Sequence, residues 1–196
     1  ISIQSMSSET LAKLGAAKLQ DIEFAAPSLS FGDGSEQGRT GIRGIIDYSR
    51  SAGYDSRVGI YVDGVYYSRS WMNNQTLLGI SQVEVLRGPQ GTLFGKNTDA
   101  GVIAISTVRP SDQLNGQFEA EVGNLGLTRF AGRVNVPLAP AWAIQVAATK
   151  LDSDGYYRNT LLGKKNMGVD STAVRGQLRF HPNSDVDIVL TGDYTD

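Results

Sequence analysis

Cysteine is absent from the 196 residues. That excludes a disulfide framework, a thiolate nucleophile and a cysteine zinc site. Histidine occurs once, as His181, which argues against a Ser-His triad and against a multi-histidine metal site. No apolar run approaches the roughly 20 residues of a membrane-spanning helix; a β-barrel, whose strands carry only a weak alternating signal, is untouched by that absence. The formal net charge is −2 and there is no basic run, so nothing points to nucleic acid. Proline is sparse, with 6 residues, while glycine is abundant, with 23, a balance that favours short strands and tight turns. The first residue, Ile1, is not a start methionine and no signal peptide is visible, so the chain is expected to be part of a longer precursor.

The residues that are present fall into two textures. The first half is organised around Val83 to Pro110, VEVLRGPQGTLFGKNTDAGVIAISTVRP. Two β-branched runs, Val83 to Leu86 and Gly101 to Val108, flank a turn carrying Gly88, Gly91 and Gly95. Pro89 biases its neighbours toward extended backbone. Upstream, Ile1 to Met6 reads as a short strand. Ser7 or Ser8 caps a helix over Glu9 to Leu14, and Lys18 to Ala25 forms a second short helix ended by Pro27. Val58 to Tyr67 reads as a hairpin turning at Asp63-Gly64. These elements make an α+β module over residues 1–110.

The second half, residues 111–196, alternates. Phe118, Ala120 and Val122 stand between Glu119 and Glu121; Phe130, Val134 and Val136 between Arg129, Arg133 and Asn135. Trp142 to Ala148, Thr172 to Phe180 and Val186 to Leu190 continue the pattern. Five segments of about ten residues, each apolar on one face, match the period of a half-buried strand. A water-soluble β-sandwich would turn the apolar face inward; an outer-membrane barrel would turn it to lipid. Segment length favours the barrel, because spanning strands need about nine to eleven residues and soluble strands average about five to six. A first turn at Asn124-Leu125-Gly126 sets Glu121 opposite Arg129 and Gln117 opposite Arg133, an electrostatically sensible register.

Motifs for other chemistry fail on spacing. Gly95-Lys96 has no glycine at the P-loop distance, and Asn97 stands where Ser or Thr is needed. Gly32, Gly34 and Gly38 miss the dinucleotide fingerprint by one residue. Asp33, Asp152 and Asp154 lack EF-hand spacing. With no convergent carboxylate pair either, the chain is expected not to be an enzyme and to use no cofactor or metal.

IYVDGVYYSR (Ile60 to Arg69), the stretch Val83 to Pro110 and GIRG (Gly41 to Gly44) closely resemble the plug domain of TonB-dependent outer-membrane receptors. The resemblance covers about residues 1–110. It implies an α+β plug domain followed by antiparallel transmembrane strands, here a partial barrel of about 22 strands, the size class whose lumen is plugged. It implies a bacterial outer-membrane location, contact with outer-membrane lipid, and import of a scarce small molecule or oligosaccharide (a siderophore-iron, cobalamin or glycan type). The partner implied is the TonB-ExbB-ExbD complex, acting on a TonB box; none is visible here. A receptor of the same fold acting mainly as a signal transducer is the alternative within the family. By position in the motifs, Arg43, Glu84 and Arg87 are expected to make plug-barrel contacts. Tyr48, Arg50, Tyr54, Tyr66, Tyr67, Arg69 and Trp71 fall in plug loops that face the outer vestibule in the family. Aromatic rings interleaved with arginines suit an anionic chelate or a stacked sugar, so these seven are expected to contact substrate.

Overall fold

The strand pair flanking the glycine-rich turn sits at the centre of the first of two compact units, Ile1–Val108 and Arg109–Asp196. The computed structural model describes residues 2–32, 39–46, 55–67, 77–158, 160, 165–166 and 168–196.

In the first unit the chain forms β1 (Ser2–Ser7), α1 (Ser8–Lys13), a 3-10 helix (Leu19–Phe24), β2 (Leu29–Phe31), β3 (Thr40–Ile42) and β4 (Ile45–Ile46). There follow β5 (Val58–Val62), β6 (Val65–Tyr67), β7 (Ile80–Arg87), α2 (Gly91–Phe94) and β8 (Gly101–Thr107). The main sheet has the order β1-β7-β8-β5-β6, and β2-β3-β4 form a second small sheet. Strand β8 pairs antiparallel with β7 and parallel with β5. It is apolar on both faces because both are covered. Ile103 and Ile105 join Val83, Val85, Val58 and Ile60 in the main core, beneath Leu11, Leu19, Ile22, Leu29 and Ile42. Val102 faces the other way, with Leu86 and Tyr61, against Tyr66 and Phe94.

Local chemistry explains the element ends. Ser7 Oγ accepts from Thr10 N at 3.3 Å and caps α1. Asp63 and Gly64 adopt φ 49° and 83°, the left-handed pair that a two-residue hairpin requires. The segment expected as a helix over Lys18 to Ala25 is instead the tighter 3-10 form over Leu19–Phe24. Its start is fixed by Asp21, whose carboxylate accepts from Ala17 N and Lys18 N at 2.8 and 2.7 Å. The glycine-rich turn contains one helical turn, α2. Gly101, at φ 152°, brings β8 so close to β7 that a Cβ there would lie 2.3 Å from the Leu86 carbonyl oxygen.

The second unit is a meander: β9 (Asn115–Val122), β10 (Thr128–Ala139), β11 (Trp142–Ser153), a small hairpin β12 (Tyr157–Arg158) and β13 (Lys165–Asn166), then β14 (Val169–Asn183) and β15 (Val186–Thr195). The long strands lie in the order β15-β14-β11-β10-β9, all antiparallel. Arg129 faces Glu121 and Arg133 faces Gln117, as the 124–126 turn predicts. Strands of 12, 12 and 15 residues are about twice the length usual in soluble sheets. No helix among the described residues is long and apolar enough to cross a membrane.

Candidate functional site

Arg87 ends β7, and its side chain turns back onto the N-terminal strand. Nε donates to Ser28 Oγ at 2.5 Å, Nη1 to Ser2 Oγ at 3.1 Å and Nη2 to Gln4 Oε1. Gln4 in turn donates to the Ala25 carbonyl at 2.6 Å. The guanidinium fork therefore joins three segments distant in sequence, all within the first unit, through neutral acceptors. It adds to the six-residue ladder by which β1 pairs with β7. Strand β1 is an edge strand with one buried apolar side chain, Met6, while Ile3 is exposed.

Glu84 lies three residues earlier on β7, half-buried opposite Ser5, and makes no ion pair among the described residues. Arg43 occupies the β3–β4 turn with φ 54°. Its backbone N donates to the Ser28 carbonyl at 2.7 Å, and its side chain is exposed. Ser28 thus receives both Arg43 and Arg87.

Of the seven residues expected at substrate, Tyr48, Arg50, Tyr54, Arg69 and Trp71 lie outside the described residues. Tyr66 and Tyr67 are half-buried on β6. The Tyr66 ring packs on Tyr61 at 5.3 Å between centroids, and its hydroxyl accepts from Asn97 Nδ2 at 3.0 Å. Tyr67 packs against the main core. Tyr61 donates its hydroxyl to the Phe94 carbonyl and meets the Phe94 ring edge-on at 5.0 Å. Burial, with the Tyr66 phenol nearby, holds its pKa above the usual tyrosine value.

The second unit, Arg109–Asp196, carries a surface of its own. Its two faces are inverted relative to a water-soluble sheet. Phe118, Phe130, Val134, Val146, Ile188 and Leu190 are exposed, Phe118 by 73% and Leu190 by 65%, whereas Asn135, Gln145 and Gln177 on the opposite face are 1–3% exposed. Along β10 the outward apolar row runs from Phe130 to Leu138, roughly 27 Å at about 3.4 Å per residue, comparable to the ~25 Å apolar band of an outer-membrane barrel. Aromatic residues mark one end, where Trp142 stacks on Phe180 at 4.4 Å. Charge begins at the other, where Lys150 pairs with Asp170.

On the inward face the polar groups answer one another. Arg129 sits between Glu119 at 2.8 Å and Glu121 at 3.3 Å. Arg175 meets Asp193 at 2.5 Å. A hydrogen-bonded row crosses from β9 to β14: Arg133 donates to Asn115 Oδ1 at 2.9 Å and to Gln145 Oε1 at 3.0 Å, and Gln145 donates to Gln177 Oε1 at 2.9 Å. Sequence reasoning did not single out this amide row. Its signal was uncharged Asn and Gln recurring at the polar positions of successive strands.

A family model described as the TonB-dependent receptor plug domain matches residues 1–102. The pesticin receptor of Yersinia pestis is 31% identical over 132 residues, covering 66% of this chain and 20% of that protein. The vitamin B12 transporter BtuB of Vibrio vulnificus is 25% identical, covering 64% of this chain and 29% of its own length. Among solved structures, the ferric yersiniabactin uptake receptor FyuA from Yersinia pestis superposes with a TM-score of 0.90 at 25% identity, over 100% of this chain and 31% of that one. The ferripyoverdine receptor of the Pseudomonas aeruginosa outer membrane gives 0.81 at 18% identity, over 99% of this chain and 25% of that one; at that identity the likeness is one of fold alone. The chain spans between a fifth and a third of the length of these relatives.

Proposed function

This chain belongs to the TonB-dependent receptor plug-domain family, and we propose that residues 1–108 form the plug and residues 109–196 the opening strands of the barrel wall of an outer-membrane importer. The family is a class of transporters and receptors, not of enzymes.

The observation that carries this reading is the inversion of faces in the second unit. A row of apolar side chains stays exposed while neutral amides are buried. Water makes that arrangement unfavourable, because each exposed apolar side chain forgoes burial worth about 1.5–3 kcal/mol. In a bilayer the same row meets hydrocarbon at no such cost.

The substrate class we propose is a ferric chelate, ahead of cobalamin or a glycan. The ferric yersiniabactin uptake receptor among its structural relatives supports it; the arginine-with-aromatic composition of residues 48–54 and 66–71 is compatible with it and equally with a sugar. Energy would come from the TonB-ExbB-ExbD complex acting ahead of β1. Arg43, Glu84 and Arg87 would fasten the plug in its resting state.

The test is uptake by the complete receptor in cells lacking other importers of the class. Labelled ferric chelates, cobalamin and oligosaccharides are supplied in turn, with and without TonB. TonB-dependent accumulation of a ferric chelate is expected. Accumulation of none of them, or uptake indifferent to TonB, overturns the proposal.

A further inference from the structure

Four residues between the two units' regular elements have no strand ladder of their own, yet their polar groups are closely held. Asn135 on β10, 1% exposed, grips the segment from both sides. Its Oδ1 accepts from Ser111 N at 2.9 Å, and its Nδ2 donates to the Ser111 carbonyl at 2.8 Å and the Gln113 carbonyl at 2.6 Å. Asn115 adds bonds to Ser111 Oγ at 3.1 Å and the Gln113 carbonyl at 3.0 Å. Arg179 on β14 donates to the Pro110 carbonyl at 3.1 Å while its Nε and Nη2 hold Asp187 of β15 at 2.8 and 3.2 Å. His181 Nε2 lies 2.7 Å from Asp112 Oδ1 but makes no hydrogen bond there, so it does not add to the hold on the segment.

We propose that residues 110–113 are a clamped tether, the point at which unfolding of residues 1–108 from the N-terminal side stops. The proposal rests on residues 109–196 being barrel wall. A buried amide that bridges a backbone N–H and C=O stands in for a missing strand neighbour, and in a water-poor setting such bonds are hard to exchange for water. The attachment is spread over β9, β10 and β14, so no single strand carries it.

The other end of the first unit is built in the opposite way. Strand β1 lies at a sheet edge with only Met6 buried, and beyond its ladder to β7 it is held by the Arg87 fork. Edge elements with few buried apolar contacts open first. Tension applied ahead of β1 therefore meets the weakest attachment first and the clamp last.

The test is single-molecule pulling on the N-terminal side of the complete receptor, held in a lipid bilayer. In the parent protein the extension is expected to stop at roughly 360–390 Å, the reach of 108 extended residues. In the double variant Asn135→Ala/Arg179→Ala it is expected to run on by roughly 50 Å as the tether and β9 peel away. Asn135→Asp keeps the acceptor for Ser111 N but loses the bonds that Nδ2 donates to Ser111 and Gln113, so the stop should yield at lower force. A parent extension that passes the clamp without a stop overturns the proposal, as does a double variant that stops at the parental length and force. If the double variant fails to assemble, as judged by loss of heat-modifiable migration, Asn135→Asp decides: an unchanged stop force overturns the proposal. No uptake is read in this assay, so its failure is separable from a failure of the import reading.

Discussion

Asp63 and Thr107, 44 residues apart, are joined twice: Asp63 Oδ1 accepts from Thr107 N at 2.8 Å and Oδ2 accepts from Thr107 Oγ1 at 2.7 Å. The hairpin turn of β5 and β6 is thereby tied to the last residue of β8, where the first unit ends. Asp63→Ala removes both acceptors, a loss of about 1–3 kcal/mol. Asp63→Asn retains one acceptor and should lose less. The urea midpoint of plug unfolding, followed by tryptophan-independent far-ultraviolet signal, reads the order: parent, then Asn, then Ala.

Arg87 is expected to stabilise β1 locally. Arg87→Lys keeps the charge but cannot reproduce a fork that reaches Ser2, Gln4 and Ser28 together. Amide exchange over Ser2–Ser7 should accelerate, equivalent to about 1–3 kcal/mol of lost local protection, while β8 amides stay as in the parent. Equal protection of β1 in both proteins would show that its ladder to β7 suffices.

Two glycines separate backbone need from chance. Gly101→Ala drives a Cβ to 2.3 Å from the Leu86 carbonyl oxygen and is expected to cost about 3 kcal/mol or more. Gly91→Ala, in α2, meets nothing within 4 Å and should be neutral or stabilising by up to about 1 kcal/mol. Paired thermal melts check the contrast.

Alkaline pH should loosen the first unit through Tyr61. Burial raises its pKa above the unfolded value of 10.0, so its contribution is complete below that value and is lost as pH rises through the folded pKa. Lys18 acts in the opposite sense. Burial lowers its folded pKa, against the pull of Asp21, so its unfavourable contribution is relieved as pH climbs toward 10.5. Tyr61→Phe should remove the alkaline loss, at the expense of the bond to the Phe94 carbonyl. Phenolate absorbance and melting temperature followed together against pH provide the measurement.

What the sequence made legible follows from range. Period-two alternation marked β9 to β11, β14 and β15, because each strand carries its own pattern. The turn at 124–126 fixed the Glu121–Arg129 pairing, because only two residues either side were needed to count it out. Asp63-Gly64 announced a left-handed turn by residue type. Helix α2 has no periodicity to be read: a single helical turn over Gly91–Phe94 is too short. The partners of Arg87 lie 83 and 85 residues away at Gln4 and Ser2, and those of Ser111 lie on strands whose lateral order no local pattern encodes. Asn135 and Arg179 read only as polar positions on a lumen-facing row until the register put them beside Pro110 and Ser111.

The orientation of the wall is the claim on which the account turns, and residues 1–196 contribute no cysteine of their own that would compete with introduced labels. Single cysteines at Val134, Val146, Gln145 and Glu119 of the complete receptor take a spin label, and the protein is placed in a phospholipid bilayer. Labels at Val134 and Val146 should collide freely with dissolved oxygen and little with a water-soluble nickel chelate, while those at Gln145 and Glu119 should lack that lipid signature. Labels at Val134 and Val146 that are open to the nickel chelate, or shielded from both reagents as in the core of a soluble sandwich, would contradict it.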